Sequence, residues 1–579
     1  MKNRWVILET DANLALMSEV LGISQTMARV MANRGLRTKK TAQAFLQTSI
    51  DNLHSFLLMK DALKALERIK KAIDAGEKIT VYGDYDVDGM TSTAILCKVL
   101  TTTGANVSYY IPHRITEGYG LNKAAVQKLA ENGTGLMLCV DNGIAAVEEV
   151  ALAKALGMET VIIDHHEPGE VLPAAVAIID PKQPDCTYPF KELCAGGLAY
   201  KFAAALCEYM GVPFSQQQEF LALASLATIC DIVELTDENR VLANCGMIVL
   251  NANKLVNPGL GTLITMRGLL EKPIDTMSVG FVLGPCLNAA GRLDTATTAV
   301  ELLLASADET KKRMELAEKL IDLNNSRKDL TADSVARIMQ NLPKDLDNVL
   351  VLVDMETHES LAGIVAGRIR EATGRPTIVL TPGEGAMKGS GRSNDMYNMF
   401  EALQAQQHLL TRFGGHFKAA GLTLPEENIP LLREALNNQC ALTDDDFIPV
   451  IKIDAVLEAK DVTISLANEL LRLAPFGSGN HEPLFVTRKL YVENVRVMDE
   501  KSTLIFTFRE NGRAPVKGIA FGLNEQYAKM VEEAEASNAG GFFVDVLYNV
   551  EVNEFRGNVS VQLRVRDIVL LGESDLGGL

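Results

Sequence analysis

The chain has 579 residues, which at roughly 100–200 residues per domain is long enough for several domains with separate hydrophobic cores. Hydrophobic residues make up 47% and charged residues 22%, so the composition excludes a disordered or collagen-like chain. The formal net charge is −18, so the chain as a whole repels polyanions. A nucleic-acid or phosphate partner would therefore need local basic sites, or metal ions on the acidic side chains.

The nine cysteines are scattered without a CxxC pair, and several lie in apolar runs, which is typical of buried, reduced thiols. The N-terminal stretch has no cleavage-site pattern, and no apolar span of 18 residues follows it. We therefore expect a cytoplasmic protein without a membrane partner.

The predicted elements change character along the chain. Residues 1–75 show helical spacing of apolar side chains and predict an N-terminal helical segment. Over 76–300, the continuous apolar runs KITVYG, GLMLCV and TVIID alternate with helical segments, which predicts a doubly wound parallel sheet. Residues 301–342 are rich in helix formers and predict one long connecting helix, or a helix pair if Asn324, Asn325 and Ser326 break it.

The rest of the chain predicts two further domains. Residues 343–440 contain NVLVLVD and TIVLT as strands around the helical stretch AGIVAGRIREA, which indicates a second α/β domain. Residues 445–579 are rich in short strands such as STLIFTFRE, which predicts a small barrel or sandwich. The expected fold class is α/β: a doubly wound parallel-sheet domain, a connecting helix, a second α/β domain and a C-terminal β-rich domain.

Acidic and histidine side chains directly follow the predicted parallel strands. They are Asp84, Asp86 and Asp88 after KITVYG, Asp141 after LMLCV, and Asp164, His165 and His166 after TVII. The carboxyl ends of parallel strands lie at one edge of a sheet, so these clusters should converge on one crevice. Asp231, in LATICDIVEL, is flanked by apolar sequence and could join them.

Five or more carboxylates this close together cannot all stay ionised without compensation. Carboxylates with imidazole suit manganese or magnesium, and no cysteine stands at ligand spacing for a structural zinc site. Two such ions about 3.5–4 Å apart can activate a water and stabilise in-line displacement at phosphorus. Each cluster alone has a simpler interpretation, a turn and helix cap for DYDVDG or a surface or core pair for the histidines. Their joint placement after strands favours phosphoester or phosphoanhydride hydrolysis.

Two glycine-rich stretches are candidate anion sites. GSGRS at 389–393 offers backbone amides, Ser390 and Arg392, and GGHFKAAG at 414–421 places His416 and Lys418 between glycines and a helix-forming alanine pair. Either stretch could equally be an ordinary turn. The sequence contains no GxxxxGK[ST] phosphate loop, which argues against an ATP-driven motor.

At these motifs the chain resembles the DHH phosphoesterase superfamily and, within it, the RecJ family of single-strand-specific DNA exonucleases, over nearly its whole length. The superfamily's four metal motifs are matched in order by GDYDVDG (83–89), VDNGI (140–144), DHH (164–166) and CDIVEL (230–235). HESLAGIVAGRI, GSGRS and GGHFKAAG resemble the DHH-associated domain. LAPFGSGNHEPLF (473–485) resembles the opening of the RecJ OB-fold domain and narrows the superfamily to RecJ.

The resemblance implies a role for each matched residue. Two divalent ions, manganese by preference or magnesium, would be held by Asp86, Asp88, Asp141, His165 and Asp231. Asp84 would lie beside them, and His166 would contact the scissile phosphate and help protonate the leaving oxygen. The terminal 5′ phosphate would be received by Arg114, Ser390 and Arg392, and the path of the strand would be lined by Asn288, Arg292 and His416.

The function implied is a 5′ to 3′ exonuclease that hydrolyses single-stranded DNA to mononucleotides by two-metal-ion catalysis, in recombination and repair. A monomer is expected, with single-strand-binding protein and a helicase as candidate partners. A DHH phosphodiesterase of short oligoribonucleotides or cyclic dinucleotides is the enzymatic alternative, and the C-terminal β-rich segment argues against it. A non-catalytic scaffold on the same fold is the third hypothesis, and the intact metal ligands argue against that one.

Two positions depart from the family pattern. Cys286 stands where the family usually has an arginine, and Thr357 stands where a tryptophan commonly precedes the histidine matched by His358. Both departures predict a change in substrate affinity rather than loss of the metal site. In the C-terminal domain, Phe506, Phe508 and Arg509 are candidates for contacting a single strand, although the two aromatic side chains are more typical of a core.

Overall fold

A computed structural model describes residues 3–383, 385–498, 503–509, 515–522, 525–536, 541–555 and 557–571. The chain divides into two compact units. One unit combines residues 1–48 with 450–579, and the other comprises residues 49–449.

The strands in chain order are β1 (Arg4–Ile7), β2 (Lys78–Tyr82), β3 (Asn106–Tyr110), β4 (Leu136–Val140), β5 (Glu159–Ile163), β6 (Ala177–Ile179), β7 (Leu350–Val353), β8 (Thr377–Pro382), β9 (Met387–Arg392), β10 (Arg412–His416), β11 (Ala419–Leu424), β12 (Val450–Ile453), β13 (Ala455–Val456), β14 (Phe485–Met498), β15 (Thr503–Arg509), β16 (Val516–Phe521), β17 (Phe542–Phe555) and β18 (Asn558–Leu570).

The α-helices in chain order are α1 (Leu14–Leu21), α2 (Gln25–Asn33), α3 (Lys39–Leu46), α4 (Ala62–Asp74), α5 (Val87–Thr102), α6 (Lys123–Glu131), α7 (Val147–Ala155), α8 (Ala195–Met210), α9 (Gln217–Cys230), α10 (Asp237–Ala252), α11 (Pro258–Met266), α12 (Thr276–Ser278), α13 (Gly284–Leu293), α14 (Thr297–Leu304), α15 (Thr310–Gln340), α16 (Ala362–Thr373), α17 (Met399–Ala405), α18 (Ile429–Gln439), α19 (Ile464–Leu471) and α20 (Glu525–Ala536).

The first sheet of the larger unit is parallel throughout, in the order β3-β2-β4-β5-β6. Every residue of β4 is buried, as are four of the five in β2 and in β5, because helices cover both faces of the sheet. After β2, the chain forms β3 on one side of β2, at the edge of the sheet, and then crosses to form β4 on the other side of β2. This change of direction leaves a crevice at the carboxyl ends of β2 and β4, and the predicted doubly wound sheet is confirmed.

The second sheet has the order β10-β11-β9-β8-β7, with β7 and β8 parallel and the other pairs antiparallel. Residues 389–392 of the GSGRS stretch lie within strand β9. This strand pairs with a neighbour on each side, so the backbone amides of the stretch belong to the sheet. Ala419 and Ala420 lie in β11, and the expectation that this pair forms a helix was wrong. Pairing with two neighbouring strands outweighs the intrinsic helix preference of alanine.

A single helix, α15, connects the two sheets of this unit and continues through Asn324, Asn325 and Ser326 without a break. The Asn324 side chain is buried, and it makes hydrogen bonds to neighbouring side chains instead of competing for the helix backbone. Of the two predicted forms, the structure has the one long helix.

The other unit is built on a closed sheet in the order β13-β14-β15-β16-β18-β17, in which β14 also pairs with β17. Phe506 and Phe508 stack on each other with ring centroids 5.4 Å apart and are buried, so they are core residues and not a surface for bases. The N-terminal residues belong here too, because β1 pairs in parallel with β12 and Met27 of α2 lies in the same core. The OB-like barrel is confirmed.

All nine cysteines carry free thiols, and six of them are buried, as the sequence predicts. Among the described residues, we find no helix with the length and apolar character that a membrane crossing requires.

Candidate metal centre and phosphate cleft

The loop after β2 carries the first three carboxylates. Asp86 caps α5 by accepting a hydrogen bond from the Gly89 amide at 3.0 Å, and Asp88 lies in the first turn of that helix. A Cβ at Gly89 would lie only 2.6 Å from the Asp84 Cβ, so the close approach of the loop to the helix requires glycine. The helix-cap interpretation of DYDVDG therefore holds for Asp86, and it also explains how the other carboxylates are positioned.

Asp141 begins the loop after β4 with a left-handed backbone, φ +62°. This conformation costs a non-glycine residue about 1–3 kcal/mol and is typical of functional sites. Its carboxylate lies 3.1 Å from Nε2 of His165, which follows β5. Strands β4 and β5 thus bring a carboxylate and an imidazole together at the sheet edge, as the sequence predicts.

His165 is the centre of the cluster. Its Nε2 lies 3.6 Å from Oδ2 of Asp88, and its Nδ1 lies 3.8 Å from Oδ2 of Asp231. Asp231 is at the C-terminal end of α9. Asp88 also accepts hydrogen bonds from the amides of Ala195 and Gly196 at the start of α8, at 2.8 and 2.6 Å. Four separate sequence motifs therefore meet at one point.

The cluster carries more negative charge than the protein alone can stabilise. Burial, followed by the charges of neighbouring aspartates, raises the pKa of Asp84, Asp88, Asp141 and Asp231 above the ordinary carboxyl range. Burial also lowers the pKa of His165 to about 3, so this imidazole is neutral and able to act as a ligand.

A divalent cation fits this donor set. Within three groups, one ligand atom per residue lies within 4.8 Å of the others: Asp84 with Asp86 and Asp141, Asp88 with His165 and Asp231, and Asp141 with His165 and His166. Oδ1 of Asp84 is buried and, among the described residues, has no hydrogen-bond partner. Oxygen and imidazole donors are those that manganese and magnesium prefer, and a cation would supply the missing positive charge.

His166 belongs to the third of these groups and also contacts Tyr119 and Asp164. Its Nδ1 lies 2.7 Å from Oδ1 of Asp164, which fixes the ring. Its Nε2 lies 3.1 Å from the hydroxyl of Tyr119, and that hydroxyl donates to the carbonyl oxygen of Asp141 at 3.2 Å. Burial alone would lower the pKa of His166, but the hydrogen bond and the charge of Asp164 outweigh it and raise that pKa to about 9.

A cleft of about 670 Å³ adjoins the metal centre, since Tyr85 and Tyr119 line it. Its remaining walls combine residues of the segment after β3 and of α13 with residues of β9, β10, β11 and the start of α16. Those named by the sequence analysis are Arg114, Arg292, Ser390, Arg392 and His416. These side chains, separated by up to about 300 positions in the sequence, face one cavity next to the carboxylates.

Ser390 and Arg392 lie on the same face of β9. Arg392 Nη1 donates to the Ser390 hydroxyl at 3.1 Å, and Arg392 makes no ion pair with any described carboxylate. The N-terminal turn of α16 comes close at Gly363, where a Cβ would lie 2.7 Å from Arg392 Nη2 and 2.8 Å from Ser390 Oγ. Arg114 on the opposite wall stacks over the Tyr85 ring at 4.8 Å. This group of donors suits a phosphate.

Asn288 does not line the cleft, unlike Arg292 and His416. Its carboxamide oxygen accepts a hydrogen bond from the amide of Val87 at 3.1 Å. Asn288 thus holds α13 against the first metal motif. Its predicted contact with a strand stays a prediction.

Reasoning from the sequence missed one side chain at the site, Tyr119, and for Asp164 it gave the position but not the contact with His166. Tyr119 lies within the stretch RITEGYGLN between Gly118 and Gly120, both with positive φ of about 80°, so the Gly-Tyr-Gly turn presents its ring to the cleft. The two flanking glycines were the available signal. Asp164 orients His166, and its role becomes visible only once the distances are known.

Three protein-family models match the chain. They are the DHH family N-terminal domain over residues 78–228, the DHHA1 domain over 346–442 and the RecJ OB domain over 453–567. Among curated proteins, the single-stranded-DNA-specific exonuclease RecJ of Bacillus subtilis is 37% identical over 98% of this chain and 71% of its own length. The Escherichia coli protein of the same name is 32% identical over 94% and 95%.

The fold also matches solved structures. The crystal structure of RecJ from Thermus thermophilus with Mn²⁺ superposes with a TM-score of 0.83 at 28% identity, over 98% of this chain and 80% of that one. The structure of the same protein with Mg²⁺ gives a TM-score of 0.77 at 27% identity, over 98% and 79%.

Proposed function

The chain belongs to the RecJ family of single-stranded-DNA-specific exonucleases, and we propose that it hydrolyses single-stranded DNA to mononucleotides from the 5′ end, in recombination and repair. It is a metal-dependent nuclease. The observation that carries the proposal is the convergence of four acidic motifs beside a cleft whose lining includes four arginines, Arg114, Arg292, Arg392 and Arg412.

Manganese or magnesium is the cofactor, and we propose two ions with a preference for manganese. The residues that would hold them are Asp86, Asp88, Asp141, His165 and Asp231, with Asp84 beside them. Bound divalent ions supply activation of water and neutralisation of the charge that develops at phosphorus. The protein itself contributes a buried frame in which these carboxylates are already placed.

The polarity of cleavage follows from the phosphate group. Arg114, Ser390 and Arg392 would bind the terminal 5′ phosphate through charge-assisted hydrogen bonds. A terminal phosphate held at a fixed place in the cleft puts the next phosphodiester beside the metal centre, so one nucleotide is measured from the end. Arg292 and His416 would contact the strand in the same cleft.

His166 would contact the scissile phosphate and help to protonate the leaving oxygen. The hydrogen bond from Nδ1 to Asp164 leaves Nε2 available for another partner, and the hydroxyl of Tyr119, a residue of the cleft lining, lies 3.1 Å from Nε2 and 3.3 Å from Nδ1. Tyr119 would hold the ring from the other side. The predicted monomeric state and the candidate partners, single-strand-binding protein and a helicase, belong to this proposal as well.

The test uses a long single-stranded DNA with a 5′ phosphate and a label at either end, in the presence of manganese. We expect mononucleotides to be released progressively from the 5′ end, with little release from the same strand in a duplex. The matched control is Asp141→Asn, which should release none.

An intact strand with the wild-type protein would overturn the proposal. Hydrolysis limited to dinucleotides through pentanucleotides would instead indicate a DHH phosphodiesterase of short oligonucleotides.

A further inference from the structure

A cationic side chain outside the cleft lies on α15, which packs against α13, the helix that carries Arg292. Arg327 on α15 is half-buried, and it makes no ion pair with any described carboxylate. It is not part of the cleft walls, yet its charge is one of those that lower the pKa of Arg292, together with burial and the charges of Arg114 and Arg392. Arg327 is linked through Asn324 to Cys286 on α13, the helix that also carries Arg292, so it lies beside that helix and outside the cleft.

The guanidinium of Arg327 is held in place by a buried relay. Its Nε and Nη2 donate to Oδ1 of Asn324 at 3.1 and 2.9 Å. The Asn324 amide in turn donates to Sγ of Cys286 at 3.4 Å, and both Asn324 and Cys286 are almost fully buried. The relay fixes a long side chain that would otherwise lose much rotamer freedom on binding a ligand.

The same geometry leaves donors free for a ligand. A guanidinium has five N–H groups, and the bonds to Asn324 use two of them. The remaining three point to no described acceptor. An arginine that is oriented by an amide oxygen rather than a carboxylate has no negative partner to offset its charge, and its planar fork matches the oxygens of a phosphate.

We propose that Arg327, oriented by Asn324 and Cys286, is a further phosphate-binding residue that contacts the strand beyond the nucleotides held in the cleft. This inference rests on the proposed function, because a ligand that reaches both Arg292 and Arg327 is a chain with more than one phosphate. It also bears on Cys286, where the family resemblance predicts a lost contact. Arg327 is carried by α15 but is linked through Asn324 to the Cys286 thiol. It therefore places a positive charge near the position where the family usually has an arginine and this chain has Cys286.

The test compares Arg327→Ala with Lys311→Ala, which removes the same charge from a highly exposed position of the same helix. We measure kcat and KM on a long 5′-phosphorylated single strand at several salt concentrations. Arg327→Ala should raise KM roughly tenfold with little change in kcat, as expected for one charge-assisted hydrogen bond. The slope of log KM against log salt should fall by about 0.7, the value for one phosphate contact on a single strand.

Lys311→Ala should change neither KM nor the slope, and Arg327→Lys should keep the slope while raising KM by less than the alanine variant does. Equal KM and slope in Arg327→Ala and Lys311→Ala would overturn the inference, as would a loss of kcat at unchanged KM. Binding of the same labelled strand to metal-free protein, followed by fluorescence anisotropy, separates this inference from the proposed function. Weaker binding by Arg327→Ala supports the phosphate contact even if the wild-type protein hydrolyses no DNA.

Discussion

On the metal side of the cleft, Asp84, Asp88 and Asp141 are each exposed by 3% or less, whereas on the opposite side Ser390 and Arg392 are partly exposed side chains of one strand. The carboxylates are fixed by backbone, through a helix cap, a left-handed residue and the amides at the start of α8. Ser390 and Arg392 are fixed by the hydrogen bond between them, by the bond from Arg392 to the Gly391 carbonyl oxygen and by the pairing of their strand.

Two glycines show the same difference. A Cβ at Gly89 would meet the backbone and Cβ of Asp84 at 2.6–2.7 Å, so the motif loop itself would have to move. The three atoms nearest to a Cβ at Gly363 are outer atoms of Arg392 and Ser390, whose side chains can rotate. The metal side is therefore expected to tolerate almost no displacement, since an active group misplaced by about 1 Å loses much of its effect. The phosphate side is expected to adapt.

Asp141→Asn should have the largest effect, a loss of at least about 10³-fold in kcat, because the variant removes a proposed ligand of an ion that would contribute several kcal/mol to charge stabilisation. Asparagine accepts the left-handed backbone, so the fold should persist. In EDTA at neutral pH the same variant should have a higher Tm than wild type, because burial and repulsion from Asp88 raise the pKa of Asp141 and make its ionised form unfavourable in the folded protein.

End-label assays and thermal melts in EDTA check both parts of this prediction. The matched control is Asp74→Asn, which removes one charge from an exposed ion pair with Lys70 and should leave activity and Tm unchanged. A lower Tm for Asp141→Asn in EDTA would show that repulsion between the carboxylates does not destabilise the metal-free protein. The proposed difference between the two sides of the cleft would then be unsupported.

Gly89→Ala should come second, with kcat lowered about 10²-fold and a higher manganese concentration required for half-maximal activity. Alanine is the better helix former by roughly 0.5–1 kcal/mol, so a purely local helix effect would raise the Tm. Steric displacement of Asp84 by the added methyl group would instead lower the Tm. Manganese titrations and thermal melts decide between the two, with Gly280→Ala as the control, because a Cβ there meets nothing within 4 Å.

Arg392→Ala should act on one class of substrate only. The ratio of kcat/KM for 5′-phosphorylated over 5′-hydroxyl strands should fall about 10- to 100-fold, the range for one or two charge-assisted hydrogen bonds. Arg368→Ala removes an exposed arginine paired with Glu371 and should leave the ratio unchanged. Equal losses on both kinds of strand would assign Arg392 to general binding of the strand instead of its terminus.

The sequence predicts the metal side better than the phosphate side, for a physical reason. Strands buried on both faces appear as continuous apolar runs, so β2, β4 and β5 are visible in the sequence and the residues that follow them have to share one edge. Strand β3 has no fully buried residue and β6 has only three residues, and neither was predicted. The sequence also points to Ser390 and Arg392, but the glycines around them suggest a turn rather than a central strand.

Contacts between distant side chains lie beyond the reach of the sequence. The sequence around Tyr119 does not predict its hydrogen bonds to His166 and Asp141. Asn324 is a residue type that often interrupts helices, yet here its side chain bonds to a buried partner and the helix continues. The pairing of β1 with β12 joins positions some 446 residues apart, which no local pattern encodes. Local periodicity specifies elements, whereas these contacts depend on how the elements pack.

Gly363→Ala should have the smallest effect, and it tests most directly whether the phosphate side of the cleft adapts while the metal side does not. The added methyl group should turn the Arg392 and Ser390 side chains without moving the strand, so KM for a 5′-phosphorylated strand should rise only a few-fold. Kinetics on a 5′-hydroxyl strand and the manganese requirement should both match wild type, because no part of the metal centre touches this position. If Gly363→Ala instead lowered kcat and weakened manganese binding as Gly89→Ala is expected to do, the two sides would be mechanically coupled. The cleft would then work as one rigid site, and the adaptable phosphate side inferred from the two glycines would be wrong.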